Sequence, residues 1–216
     1  MALQSGIALI SDLLQFIGVF VSFSIAYVAF KGVKKTESSS LLRLATAFVF
    51  LGFGFLLEGA VGLGQLVPSL PLTATAVVVG GLLFETTGYF FLAFSHAVDV
   101  VLSKKTGVAL LILPVITLTG TQLADVLSIL SFYFVLYGVV ETVYSYARTR
   151  KPDTLLIALG LSLIGVGTFF QWLLLLYLQV DVLSLLQIIL KEMGLLILFT
   201  PVLRFAVGGV KVDGPV

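Results

Sequence analysis

Cysteine is missing from the sequence, and charged residues make up only 11% of it. The lack of cysteine excludes disulfides, thiolate metal sites and cysteine nucleophiles. Soluble domains carry about 25% charged residues, whereas this chain is 59% hydrophobic with a mean hydropathy of +1.18. The composition therefore excludes a soluble globular domain, a disordered protein and a nucleic-acid-binding module, and it predicts an all-α integral membrane protein embedded in a lipid bilayer.

Other residue types and motifs are also scarce or absent. No asparagine is present, and a low content of thermolabile residues is typical of a thermophilic source. The single histidine, His96, excludes a bis-histidine haem and a histidine-rich metal site. The sequence contains no nucleophile elbow, P-loop or glycine-rich dinucleotide turn. We therefore expect neither an enzyme nor a bound metal or cofactor.

The long hydrophobic runs predict seven membrane spans in a single domain covering residues 1–216. A span needs about 20 mostly apolar residues. The fourth run is the shortest and contains Pro114. The predicted spans are residues 7–30, 41–66, 75–102, 107–123, 124–146, 154–178 and 182–207.

The distribution of basic residues predicts the orientation of these spans. If there are seven spans and the N-terminus lies outside, every Lys and Arg except Lys191 falls on the cytoplasmic side, as the positive-inside rule requires. With six spans, the cluster of Arg148, Arg150 and Lys151 would move outside. The sequence thus predicts a multi-pass protein of the cell membrane with its N-terminus outside and its C-terminus inside.

An internal repeat is predicted by the spacing of polar and small residues. A shift of 113 positions aligns spans 1 and 2 with spans 5 and 6 without a gap. Span 3 then corresponds to span 7, so the pattern is 3+1+3, with repeats at 7–102 and 124–207 and a linker helix at 107–123. Transporters are often built from such repeats, with their sites at the repeat interface. The matches pair Asp12 with Asp125, Lys35 with Arg148, Gly52-x-Gly54 with Gly165-x-Gly167, Glu58 with Gln171, and Glu85 with the Lys191-Glu192 pair.

Polar side chains from four predicted spans fall at a similar depth. A helical rise of about 1.5 Å per residue places them about 10–15 Å from the outer helix ends. Ionisable residues in hydrocarbon are expensive and usually face a bundle interior or a water-filled cavity. The predicted polar layer consists of Glu58, Glu85, Gln171, Lys191 and Glu192.

This layer has two interpretations. In the first, it is an ion or proton path in which Glu58 and Glu85 are carriers and Lys191 is the counter-charge. In the second, it is a structural salt bridge that fixes helix register. One lysine cannot neutralise three carboxylates, so at least one carboxyl group should carry a proton, which favours a titrating site. The path would continue through an inner relay of His96, Asp99 and Glu141.

We therefore expect transport or conduction of an ion, a proton or a small solute through the polar layer. The main alternative is a non-conducting integral subunit of a larger membrane assembly, for which short loops and closely packed, glycine-rich helices would suffice. Homo-oligomer or membrane-complex partners are compatible with this alternative.

Two short segments resemble the microbial rhodopsins. The segment Lys191-Glu-Met-Gly-Leu-Leu-Ile-Leu is similar to part of that family's helix 7, and Glu85-Thr-Thr-Gly to part of its helix 3. The resemblance implies a seven-helix bundle in which Lys191 carries retinal, so a lysine-linked chromophore sensor is a further alternative. The sequence departs from the family at Gln187, where an Asp is usual, and span 6 has Trp172 and Tyr177 but no proline.

Overall fold

The computed structural model describes residues 2–66, 74–101, 120–176 and 181–207. The regular structure in these ranges consists of six α-helices. They are α1 (Ala2–Thr36), α2 (Ser39–Leu66), α3 (Ala74–Val101), α4 (Gly120–Thr149), α5 (Pro152–Leu176) and α6 (Asp181–Val207).

All six helices are long and apolar enough to cross a membrane. A helix satisfies its backbone hydrogen bonds within its own segment, which is what hydrocarbon demands of a spanning structure. The protein is therefore an α-helical, multi-pass membrane protein, and six of the predicted spans are confirmed as helices.

The fourth predicted span, 107–123, falls mostly outside the described residues. Its last four positions are described, and they belong to α4 because that helix begins at Gly120. The predicted boundary between residues 123 and 124 is therefore wrong. Polar and apolar residues alternate irregularly between Thr117 and Asp125, so hydropathy alone does not fix the boundary at one position.

Two tight turns connect α1 to α2 and α4 to α5. Glu37 and Arg150 adopt positive φ angles of 53° and 52°. Their backbone N–H groups donate to the carbonyl oxygens of Val33 and Tyr146, both at 2.8 Å. A residue in the left-handed region that closes the last helical turn in this way is a common helix C-cap. Both connections are thereby held to two residues, which makes each helix pair an antiparallel hairpin.

The six described helices form a closed ring. Each helix packs against the next one in the chain, and α6 returns to pack against α1. The centre of the ring holds one large apolar cluster, to which all six helices contribute. Its buried members include Ile25, Phe48, Tyr89, Val135, Ile164 and Leu195.

Helices α3 and α4 are neighbours that run in the same direction. The Thr86 hydroxyl on α3 lies 2.8 Å from the Ser131 hydroxyl on α4. Seven residues further along each helix, Gly138 packs on the Cα atom of Ala93. Both contacts advance together, so the helices are parallel, and residues 102–119 connect the end of one to the beginning of the other.

Candidate functional site

A lysine and a glutamate form an ion pair at the centre of the ring. The Lys191 ammonium donates to both carboxylate oxygens of Glu85, at 2.9 and 2.8 Å. The two side chains are only 2% and 0% exposed. The ammonium also lies 5.8 Å from the centre of the Phe55 ring, within range of a cation–π attraction. A charge this deeply buried depends on its partner, because removing either one strands the other.

Two glycines bring neighbouring helices close to this pair. A Cβ atom on Gly54 of α2 would lie 2.7 Å from Cγ of Glu85, and one on Gly167 of α5 would lie 2.9 Å from Cγ of Lys191. Small residues allow helices in membranes to approach closely. The glycine on each helix thus makes room for the charged side chain of the next.

Glu58 and Gln171 meet beside the ion pair, one helical turn beyond the two glycines. The Gln171 side-chain amide donates to Oε1 of Glu58 at 3.4 Å, which is long for a hydrogen bond and therefore weak. Glu58 is partly exposed, whereas Gln171 is buried. We name Glu58, Glu85, Gln171 and Lys191 the central group. Glu58 is the more accessible of its two carboxylates.

Glu192 belongs to a different surface from the central group. Successive residues of a helix are about 100° apart around its axis, so Glu192 points away from Lys191 and towards α1. Its carboxylate fills the space that a side chain on Gly18 would occupy. Glu192 is 2% exposed, and among the described residues neither of its oxygens has a hydrogen-bond partner.

The structure therefore brings together four of the five residues predicted for the polar layer. Glu58, Glu85, Gln171 and Lys191 converge at the centre, and Glu192 lies at the contact between α6 and α1. The prediction placed all five residues at one depth, because helical rise converts position in the sequence into height. Helical rise does not give the rotation of a residue around the helix axis, and that rotation separates Glu192 from the other four.

Of the predicted inner relay, the structure describes the side chain of Glu141 alone. Glu141 accepts a hydrogen bond from the Tyr137 hydroxyl at 3.2 Å. Its stripe on α4 includes Tyr133 and Tyr144, which are 60% and 61% exposed and so face outwards. The side chains of His96 and Asp99, on α3, lie outside the described part of the structure.

A cavity of about 160 Å³ lies in the ring on the side of the α1–α2 and α4–α5 turns. Its wall includes Ser40 from the start of α2 and Thr142 from the second half of α4, among mostly apolar side chains. On α2, α3, α5 and α6 a residue one turn away from the cavity is fully buried. The next turn reaches Glu85 on α3 and Lys191 on α6, and it reaches the glycines that contact them, Gly54 and Gly167, on α2 and α5. The four fully buried residues, which we name the inner seal, are Leu51, Tyr89, Ile164 and Leu195.

Sequence reasoning did not identify the inner seal or the role of Gly18. Tyr89 follows Glu85 by four residues, so its place on the inward face of α3 could have been found from the helical stripe. Leu51, Ile164 and Gly18 offered no comparable signal. Leucine, isoleucine and glycine occur throughout these helices, and only packing distinguishes the ones that line the centre.

The central group consists of two carboxylates, one amide and one ammonium. Within the described residues, no group of three or more His, Cys, Asp and Glu side chains is placed to hold a metal ion. The chemistry that the group supports is the exchange of protons or the binding of a small charged or polar species. No protein-family model, curated protein or solved structure matches this chain.

Proposed function

We propose that the protein moves an ion, a proton or a small solute across the cell membrane through the central polar group. The observation that carries this proposal is a buried Lys191–Glu85 pair with a second, partly exposed carboxylate, Glu58, beside it. A structural bridge needs one carboxylate for one lysine. The additional carboxylate at the centre of a membrane protein is expensive, and a role in binding or passing a charge accounts for it.

The protein crosses the membrane seven times in this proposal, with its N-terminus outside. The parallel arrangement of α3 and α4 supports this number, because a chain that has crossed along α3 must cross back before it can run along α4. The connection comprises the 18 residues 102–119, which as a helix would extend about 27 Å. A hydrocarbon core is about 30 Å thick. The one-sided distribution of Lys and Arg supports the orientation.

The two halves, α1–α3 and α4–α6, are repeats in the proposed arrangement, related by rotation about an axis along the membrane normal. The two tight turns support the repeat, since Glu37 and Arg150 are 113 positions apart and share one backbone conformation. The helix contacts support it too. Ala47 on α2 approaches Gly88 on α3, and Gly160 on α5 approaches Gly194 on α6, which are the corresponding positions.

The central pairs are then the two places where equivalent residues meet on the axis. Gln171 and Glu58 are 113 positions apart, and Lys191 and Glu85 are 106 apart, which are the offsets of the second and third helices of the repeat. The two residues of each pair differ, so Lys191 and Glu85 attract each other by opposite charge and Gln171 donates a hydrogen bond to Glu58.

The proposed transport step is a change in access to this central group. Transporters built from repeats commonly work by moving one repeat against the other around a fixed site. The inner seal separates the ion pair from the inner cavity in the conformation described, so Glu58 is the residue through which the site is reached. Movement of the two halves would open the inner seal and connect Glu85 with the cavity.

The test is flux through the purified protein in liposomes that contain a pH-sensitive dye, with gradients of several ions applied in turn. Glu85→Gln and Glu58→Gln preserve shape while removing the ionisable group. We expect flux in the wild type and its loss in both variants. Asp153→Asn, which changes an exposed carboxylate paired with Arg204, is the matched control and should retain flux.

Two outcomes contradict the proposal. Equal flux in the wild type and in both variants would show that the central carboxylates are not on the path. Absence of flux for every ion and solute in the wild type would favour a non-conducting subunit of a membrane assembly.

A further inference from the structure

The ring contains two corresponding contacts that differ in their chemistry. Between α3 and α4, the Thr86 hydroxyl lies 2.8 Å from the Ser131 hydroxyl and 3.2 Å from the carbonyl oxygen of Leu127. Between α6 and α1, the positions that correspond to Thr86 and Ser131 under the offsets of 106 and 113 are Glu192 and Gly18. Where one contact is closed by hydrogen bonds, the other holds a carboxyl group against a glycine.

The environment of Glu192 is unfavourable for a negative charge. The side chain is 2% exposed, and neither of its oxygens has a hydrogen-bond partner among the described residues. Burying an ionised carboxylate without a partner costs far more than burying a neutral polar group. A proton removes that charge and needs no second ligand, whereas a divalent cation such as Ca²⁺ needs six or more oxygens.

The charged groups around Glu192 do not compensate for its charge. Those that act on it electrostatically are Lys191 on its own helix, Glu85 on α3 and Glu58 on α2. Lys191 already donates to both oxygens of Glu85. The titratable residue of α1 nearest to Gly18 in sequence is Asp12, six residues before it. Tyr89 on α3 also interacts electrostatically with Glu192 and carries no compensating positive charge.

We propose that Glu192 is a proton-binding site and that the proton is the ion that the central group moves. The second half of this statement rests on the proposed function. With its proton, Glu192 is neutral and compatible with the closed contact between α6 and α1. Without it, the Glu192 carboxylate points towards α1 but adds a negative charge that attracts the Lys191 ammonium and repels the Glu85 carboxylate through space. Loss of one proton to water at Glu192 thus weakens the central ion pair, which couples the two sites.

Proton binding at Glu192 is tested with a hydrophobic carbodiimide, which reacts with protonated carboxyl groups in apolar surroundings. The full-length protein in liposomes is treated across a range of pH, and the modified peptides are identified by mass spectrometry. We expect modification of Glu192 that declines as pH rises, protection of the ion-paired Glu85, and loss of the adduct in Glu192→Gln. Absence of modification at Glu192 at every pH, or modification that does not change with pH, would overturn the proton site.

The identity of the transported ion as the proton is tested by proton flux in the same liposomes. We expect Glu192→Gln to reduce proton flux to that of protein-free liposomes, while Glu192→Asp retains part of it and Asp153→Asn retains all of it. Flux of another ion without proton movement would overturn the identity of the ion but leave the proposed function standing. If no species moves at all, the proposed function and the identity of the ion both fail, and carbodiimide modification alone decides whether Glu192 binds a proton.

Discussion

The ammonium of Lys191 lies 2.8 Å from Oε2 of Glu85, and both side chains are buried at the centre of the ring. Another ion pair, between Arg204 and Asp153, has a distance of 3.3 Å and side chains that are 63% and 57% exposed. Water can replace a partner that is lost from the exposed pair. It cannot do so at the buried pair, so the same chemistry has different energetic consequences at the two places.

The buried pair should therefore be sensitive to the loss of one partner. We expect Lys191→Met to lower the free energy of unfolding by about 3–5 kcal/mol, because it leaves the Glu85 carboxylate unpaired. Adding Glu85→Leu should restore most of that loss. Arg204→Met, the control at the exposed pair, should change stability by less than about 1 kcal/mol. Unfolding in detergent measures all four proteins, and a Lys191→Met variant as stable as wild type would contradict the prediction.

The glycines that face the central pair should not tolerate a methyl group. A Cβ atom on Gly167 would lie 2.9 Å from the backbone carbonyl oxygen of Gln187, and one on Gly54 would lie 2.7 Å from Cγ of Glu85. We expect Gly167→Ala and Gly54→Ala each to reduce the free energy of unfolding by about 1–3 kcal/mol through overpacking.

Gly138 provides the matched control for this prediction. A Cβ atom there would come no closer than 3.8 Å to its nearest contact, the Leu161 side chain. Gly138→Ala should be neutral or stabilise by up to about 1 kcal/mol, since alanine has the higher helix propensity. Equal changes in the free energy of unfolding at all three positions would mean that the close helix packing at the ion pair does not determine the cost of an added methyl group.

The seven-span topology predicts that both tight turns face the same side of the membrane. The protein has no native cysteine, so single cysteines can be introduced without background labelling. Glu37→Cys and Arg150→Cys should react with a membrane-impermeant maleimide only from the cytoplasmic side. Gln179→Cys, in the predicted outer connection between the last two spans, should react only from outside. Labelling of Glu37→Cys and Arg150→Cys from opposite sides would exclude a crossing by residues 102–119.

The inner seal predicts that a smaller side chain at its centre increases flux. Ile164 is fully buried between the inner cavity and the level of the ion pair. Ile164→Ala should cost about 2–5 kcal/mol of stability and increase flux per folded protein in liposomes. Val166→Ala, two residues away and exposed to lipid, should leave flux unchanged. If the two variants show equal flux, the inner seal does not limit passage of the transported species.

The sequence predicted all six described helices because span length and hydropathy are local properties. A run of about 20 apolar residues has few alternatives to a helix in hydrocarbon. The depth of Glu58, Glu85, Gln171 and Lys191 also followed from the sequence, since helical rise converts position along the chain into height. Lys191 and Glu85 could thus be expected at one level, although 106 residues separate them.

Rotation of each helix about its axis was decided only by the tertiary structure. The polar stripe with Glu141 faces outwards, the stripe with Glu85 faces the centre, and Glu192 lies against Gly18 rather than beside Lys191. In water, burial of apolar surface would select the inward face of a helix. In a bilayer, lipid is as apolar as a neighbouring helix, so the choice depends on close packing and on which polar groups find partners. Those are relations between residues far apart in the chain, and they exist only once the ring has closed.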